Sequence, residues 1–370
     1  RPTADSKFFR TGQINYDLLC QLVLHVNDKL TSENNSGSII VFLPGVAEIN
    51  RLCRMLENNN LVVLPLHSAL SAEDQKQVFK KFSKRKVVVS TNIAETSITI
   101  DDCVATIDTG KAKIMMYNAK DNSTRLIERF ISRAESKQRR GRAGRVREGL
   151  SYKLYSKRLY EEDMVEMPTS EINRVALDSL YLSVKAMGIR NVKSFLAKGL
   201  EPPPLNALEM AEIQLSMIGL LDRKNEELTQ LGKYVSMMPL VDPKYGKLLL
   251  FGIIFGCVSK CVLIASILSL SNSPFIGGTE NRDNIKQMLK EHGDDGDILA
   301  IVDIVEKCLS KTNSSDRGKY MKQHYLSFNK LREIESSISQ YYSILSDLGF
   351  LPIKYRQSEG SELERNGKSK

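Results

Sequence analysis

SIIVFLPGVAEINRLCRMLENNNLVVLPL, residues 38–66, decides the fold class. Ser38–Pro44 is a short, almost wholly apolar run, the pattern of a strand buried on both faces. Val46–Asn58 then spaces its apolar residues three and four apart, as a helix with one buried stripe does. Leu61–Leu66 is apolar throughout again and reads as a second strand. Strand, helix, strand with apolar strands argues a parallel sheet covered on both faces. Working outward, Ala72–Phe82 reads as a helix with Ser71 at its cap and Asp74 three positions on. Lys86–Thr91 and Cys103–Gly110 read as two more strands. Ligands of such sheets sit beyond the carboxyl ends of the strands. That rule selects Pro44–Gly45, Thr91–Asn92 and Asp108–Gly110.

The pattern changes after Gly149. Ile172, Val175, Leu180, Val184 and Met187 recur at helical spacing. Glu201–Asp222 opens on three prolines that fix a helix start and then runs amphipathic. DRKNEELTQLGKY, from Asp222, reads as a short polar hairpin followed by a helix. Helix, helix, polar hairpin suits a winged-helix module over 150–228. From Thr229 to about Gly349 the chain reads as helix after helix, an all-α bundle over 229–350. Residues 351–370 are polar and read as a disordered tail. The expected architecture is therefore an α/β domain over 1–149, a winged-helix module and a helical bundle. No internal repeat is present.

Composition narrows the function classes. The apolar stretch Lys247–Leu270 is broken by Gly252, Gly256, Ser259 and Lys260, so it reads as a buried helix pair and not a membrane span. The N-terminus has no apolar signal core and no initiator Met, which reads as a piece of a longer protein. The six cysteines are scattered with no CxxC pair, the usage of a reducing compartment. The expected setting is intracellular, cytoplasmic before nuclear. The net charge of +9 is uneven: Lys111–Arg158 holds fifteen Lys or Arg against four acids. A block this one-sided reads as facing a polyanion. HGDDGD, His292–Asp297, is dense in possible metal ligands but lacks their spacing, and reads as an acidic helix start.

Two segments carry chemistry. In QRRGRAGR, Gln138–Arg145, Arg142 and Arg145 are three apart and project from one face of a helix. Gly141 and Gly144, one before each, are expected to let that face approach another surface closely. Guanidinium groups grip phosphate oxygens in a fixed fork that lysine cannot copy. In STNIAETSITID, Ser90–Asp101, hydroxyl and amide groups leave a strand end, as sequence-independent contacts to a sugar–phosphate backbone do. Between them an apolar stretch, NAKDNS and a second apolar stretch read as a β-hairpin over about 111–130.

These segments, with VFLPG (Val41–Gly45), make the chain resemble the DEAH/RHA group of superfamily 2 RNA helicases. NYDLL, VFLPGVAEI, LHSAL, VVVSTNIAETSITID and QRRGRAGR stand in that family's order, and the similarity runs on through LDSLYLSVKAMG, LTQLGKYVSMMPLVDPKYGKLLL and SPF (Ser273–Phe275), over roughly 13–350. The resemblance implies a second RecA-like lobe, a winged helix and a helical ratchet domain. It implies that Arg142 and Arg145 are arginine fingers on the γ-phosphate of ATP and that Gln138 positions that phosphate or the attacking water. It implies nucleotide contacts at Thr99, Asp101 and Gly141, with Phe79 stacked on adenine. Read from the residues alone, Phe79 could equally be a core residue of its helix. Ser90, Thr91, Asn92, Pro44 and Gly45 would contact RNA, and the hairpin would act as a wedge.

The same resemblance implies ATP and Mg²⁺, bound mainly by a first lobe whose motifs, G-x-x-x-x-G-K-[ST] and Asp-Glu-Ala-His, are absent from these residues. Without them the 370 residues are expected to hydrolyse no ATP by themselves. Implied partners are RNA, that lobe and a G-patch-type activator, with no membrane. The implied activity is 3′→5′ translocation and unwinding. The competing expectations are a non-catalytic RNA-binding scaffold and a protein-interaction platform.

Overall fold

The computed structural model describes residues 13–70, 72–144, 148–240, 242–271, 273–276, 281–292 and 296–352. Ser71, Arg145, the middle of the HGDDGD segment and the tail from 353 lie outside these residues. The chain divides into two compact units, residues 1–175 and 176–370.

The first unit is built on a five-stranded, wholly parallel sheet: β1 (Ser38–Phe42), β2 (Val62–Leu66), β3 (Lys86–Ser90), β4 (Cys103–Asp108) and a last strand, Leu150–Lys153. The strand order is β2-β3-β1-β4 followed by that last strand. Side chains alternate across a strand, and β1 shows both faces dry. Ile39 and Val41 pack under α1 (Tyr16–Ser32) and α2 (Val46–Leu56) with Leu19, Val23, Ile49 and Leu52. Ile40 and Phe42 pack on the other side with Val78, Ala94 and Ala143. This is the RecA-like arrangement. The N-terminal helix α1 had no periodicity reading of its own, yet it buries Leu19, Val23, Val26 and Leu30.

Two local features differ from the expectation. The helix expected to Phe82 is an α-helix only over α3 (Ala72–Lys76), followed by a 3₁₀ turn over Gln77–Phe79. Beyond the turn the buried Lys86 ammonium donates to the carbonyls of Val78 (2.6 Å) and Lys80 (3.4 Å), which a continuing helix would use, and it pairs with Asp102 at 3.0 Å. The sheet also continues past residue 149, because Leu150–Lys153 is hydrogen-bonded to β4. Its short alternating sequence gave no strand signal next to the glycine before it. Between β4 and that strand lie β5 (Lys111–Asn118) and β6 (Ser123–Phe130), an antiparallel hairpin in register from Lys111–Phe130 to Asn118–Ser123, then α5 (Arg133–Gly141). The last strand is β7 (Leu150–Lys153), and α4 is the single turn Ile93–Thr96 after β3.

His67, directly after β2, is buried, and its Nδ1 has no hydrogen-bond partner among the described residues. Burial lowers its pKa from the ordinary 6.5. The folded state therefore takes up fewer protons than the unfolded chain, and stability is lost as pH falls through the His67 range. Melting of this chain is expected to drop between pH 7 and pH 5, with a shallower drop in His67→Asn. An identical pH slope in the variant refutes the assignment.

The second unit is helical: α6 (Asp178–Ala186), α7 (Val192–Leu196), α8 (Leu205–Met217), α9 (Gln230–Ser236), α10 (Pro243–Ile254), α11 (Val258–Leu268), α12 (Arg282–His292), α13 (Asp297–Leu309), α14 (Ser314–Gln323) and α15 (Phe328–Asp347). Glu212 ties the first three together, accepting from Tyr181 (3.1 Å) and Lys193 (2.7 Å). The polar hairpin is closed by one antiparallel bridge, Leu221 to Leu228, and Thr229 caps α9 through Gly232 N–H. The stretch read as a buried helix pair is α10 and α11. Phe275 of SPF is a core residue, bridged to Leu326. Among the described residues no helix is long and apolar enough to cross a membrane, and no group of three or more metal-ligating side chains forms.

Candidate nucleotide and RNA site at the carboxyl edge of the sheet

The carboxyl ends of β1, β2, β3 and β4 are latched together. Leu43 N–H donates to the Ser90 carbonyl (2.8 Å), Thr91 N–H to Leu66 (3.1 Å), and the Thr109 hydroxyl to Phe42 (2.8 Å). The Ser90 side chain belongs to this latch. It is buried, and its hydroxyl lies 3.2 Å from the Leu66 carbonyl and 2.9 Å from that of Thr91. The Ser90 hydroxyl is thus turned inward. Thr91 is half-buried and Asn92 exposed, at the start of α4. Pro44 and Gly45 are buried. The Lys113–Glu48 ion pair (2.8 Å) closes over Gly45: a Cβ there would stand 2.8 Å from Glu48 Oε2 and 3.0 Å from Lys113 Nζ.

Motif QRRGRAGR is held by its N-terminal end. Ser132 and Glu135 form a capping box, Ser132 Oγ accepting from Glu135 N–H (3.1 Å) and the Glu135 carboxylate from Ser132 N–H (2.6 Å). Arg129 of β6 grips the same carboxylate at 3.0 and 3.1 Å. The next two orphan N–H groups, of Arg133 and Ala134, donate to the carbonyls of Val165 and Glu166. Every donor of the first turn is satisfied, so the helix direction is fixed. Four residues apart, Gln138 and Arg142 then share one face, Gln138 exposed and Arg142 half-buried as the helix continues into a 3₁₀ turn.

Gly141 and Gly144 are exposed. A Cβ on Gly141 or Gly144 would meet nothing within 4 Å. A close approach within the chain is made by Gly149, where a Cβ would stand 1.7 Å from the Ala143 carbonyl oxygen. Gly149 lets β7 enter the sheet beside the 3₁₀ turn that follows Arg142.

At the centre lies a group the sequence reading passed over. Arg139 is fully buried. Its Nε donates to Glu95 at 3.1 Å and its Nη1 to Asp108 at 2.8 Å and to the Lys111 carbonyl at 3.3 Å, with the ring of Phe42 4.9 Å away. Asp108 also accepts from Gly110 N–H (2.9 Å) and the Tyr155 hydroxyl (3.1 Å), and Tyr155 is 2.6 Å from Ser136 Oγ. Asp108, at a strand end where a ligand was expected, is therefore spent inside the protein. Burial raises the Glu95 carboxyl, against the downward pull of Arg139. Asp108 and Glu95 hold Arg139 charged despite its burial. Burial also pushes the Tyr155 phenol up, so it stays a donor. The signal available in the sequence was two lone charges inside apolar surroundings, Asp108 ending an apolar strand and Glu95 one turn into a helix.

Among the described residues, ion pairs engage eight of the block's cations: Lys111 with Glu128, Lys113 with Glu48, Arg125 with Asp121, Arg129 with Glu135, Arg133 with Glu166, Arg139 with Glu95 and Asp108, Lys157 with Glu161 and Arg158 with Glu162. Several of these acids lie outside the block, which a local charge count cannot see. Lys120, Lys137 and Arg140 stay exposed. Phe79 is 54 % exposed on the 3₁₀ turn, so it is not a core residue. Thr99 is half-buried and Asp101 exposed.

Residues 15–147 match the helicase conserved C-terminal domain, and residues 242–324 the ratchet-like helicase associated domain, HA2. The chain is 60% identical, over 99% of its length, to YLR419W of Saccharomyces cerevisiae, provisionally named an ATP-dependent RNA helicase. It is 37% identical over 93% of its length to UM11114 of Mycosarcoma maydis, provisionally named a DEAH-box ATP-dependent helicase. It is 36% identical over 94% of its length to the chloroplastic DExH-box ATP-dependent RNA helicase DExH4 of Arabidopsis thaliana. The chain spans about a quarter of the length of these relatives, 26%, 24% and 26% respectively. Both domain matches and the likeness across almost the whole chain place it in the DEAH-box helicase family.

Proposed function

We propose that the chain is the lobe that completes the ATP site of an RNA-translocating motor and carries part of its RNA grip. The observation that supports this best is the pairing of Gln138 and Arg142 on one face of α5, a helix whose first turn is fully capped and whose middle is pinned by Arg139. Rigidly aimed guanidinium groups stabilise charge developing on a transferring phosphoryl group. Arg142 then acts as an arginine finger, with Arg145, outside the described residues, as the second. Gln138 orients the phosphate or the attacking water. The exposed Phe79 ring offers a stacking face for adenine, and Thr99 and Asp101 follow α4 as further nucleotide contacts. Thr91 and Asn92 hold RNA phosphates, and the hairpin β5–β6, with Met115 and Leu126 paired and exposed, works as a wedge in 3′→5′ movement.

The donor set fits a nucleotide's terminal phosphate and not a metal: Asp108 and Glu95 are engaged by Arg139, and no three-ligand cluster forms among the described residues. Mg²⁺, when bound, neutralises phosphate charge, and its ligands belong to another lobe. The helix–helix–hairpin stretch before α9 acts as a winged helix and offers a surface to a G-patch-type activator. The setting proposed is intracellular, cytoplasmic before nuclear. A non-catalytic scaffold has no use for a finger helix anchored at every turn.

The test is ATP turnover with single-stranded RNA. The intact protein is expected to show RNA-stimulated hydrolysis, and the purified 370 residues none. RNA-stimulated turnover by the 370 residues alone, lost on Arg142→Ala, contradicts the division of labour proposed.

A further inference from the structure

We infer that Glu95 and Arg139 are positioning residues that carry RNA occupancy at Thr91–Asn92 to the finger helix, an inference that rests on the function proposed above. The two ends of the Arg139 clamp are unequal. Asp108 is held by three donors besides its strand: Arg139, Gly110 N–H and Tyr155. Glu95 receives one side-chain donor among the described residues, Arg139 Nε at 3.1 Å. The Asp108 arm is therefore the fixed anchor, and the Glu95 arm is the one that can be made or broken.

The covalent path on each side is short. Glu95 N–H donates to the Asn92 carbonyl (2.9 Å) and Ala94 N–H to that of Thr91 (3.4 Å), so the single turn α4 moves with the residues proposed to hold RNA. On the other side, Arg139 lies between Gln138 and Arg142 on α5, and α4 packs on α5. Both carboxylates and the guanidinium sit in a dry site with formal charge −1, where a change in one contact is felt strongly. RNA that draws Asn92 outward loosens Glu95 from Arg139, and RNA that seats Asn92 tightens it. The orientation of Arg142 follows, because the helix between them is rigid.

The experiment measures ATP turnover by the intact protein with and without a single-stranded oligouridine. Glu95→Gln keeps the size and an acceptor oxygen but removes the charge. It is expected to lower the RNA stimulation of kcat by about 5–150-fold, the range of ordinary site-to-site coupling. Turnover without RNA and the KM for ATP should stay at wild-type values, and so should the melting temperature. Tyr155→Phe, which loosens only the anchor, should lower the melting temperature and leave RNA stimulation intact. If Glu95→Gln does not fold, Glu95→Asp reads the same bond, since it keeps the charge but withdraws it by one methylene. Full stimulation in a folded Glu95 variant overturns the inference, as does a parallel fall of basal and stimulated rates. A wild-type protein with no RNA stimulation at all overturns the proposed function and this inference with it, which separates the two failures.

Discussion

Arg142→Ala in the intact protein is expected to lower RNA-stimulated ATP turnover by about 10³–10⁵-fold, the range that one in-place arginine finger contributes in nucleotide hydrolases. The large figure follows from preorganisation. α5 runs up to Arg142, which keeps helical backbone angles, and its capping box, the Arg129–Glu135 ion pair and the Arg139 clamp fix its start and its middle. A donor already aimed at the developing charge needs no reorganisation during the reaction. Because that contact exists in the transition state and not in the ground state, kcat and kcat/KM should fall together while the KM for ATP stays put. Arg142→Lys should recover little, since an ammonium cannot copy the planar fork. Turnover within tenfold of wild type in a folded Arg142→Ala protein rules out the finger role. Gln138→Ala, one helical turn earlier, offers no charge and is expected to cost less.

What the sequence made legible follows from periodicity. Ser38–Leu66 announced strand, helix, strand because both faces of β1 are dry and its helix shows a clean stripe, Ile49, Leu52 and Leu56. The order of motifs also gave the family. β7 escaped because Leu150–Lys153 is four residues long, lies at the sheet edge and is half exposed, so neither length nor apolarity marks it. The stop in the helix after Phe79 escaped because the group that takes up the carbonyls there, Lys86, stands seven residues on. At the site, residues that face outward were legible from chemistry: Asn92, Gln138 and Phe79 are exposed. Those that the fold consumes were not. Ser90 and Asp108 carry the right atoms at the right strand ends, but their partners, Leu66 and Arg139, are 24 and 31 residues away in the chain. Arg139 itself stood inside the strongest motif and was passed over, because a run of arginines looks alike until burial separates Arg139 at 0% exposure from its exposed neighbour Arg140.

That separation gives the second large effect. Arg139→Met leaves Glu95 and Asp108 buried and facing each other without a cation. Removing one partner of a buried ion pair costs about 3–5 kcal/mol. For a unit of this size that is a loss of roughly 6–20 °C in melting temperature. The cost is electrostatic, so it should depend on pH in a defined direction. Burial already raises the Glu95 carboxyl, and without the downward pull of Arg139 it titrates higher still than in the unfolded chain. A raised folded pKa contributes stability below the unfolded value and loses it as pH rises through the folded value. The gap between wild type and Arg139→Met should therefore be narrower at pH 5 than at pH 8, measured by circular dichroism melts of this chain. Neutralising the whole clamp, Glu95→Gln with Asp108→Asn and Arg139→Met, should recover part of the loss, because no buried charge is then left uncompensated. A gap independent of pH, or a triple variant less stable than Arg139→Met, would mean that Arg139 holds the lobe by packing against Phe42 and not by charge. In that case Glu95 has no electrostatic hold on the finger helix, and the coupling between motif and motif has to be sought elsewhere in α4.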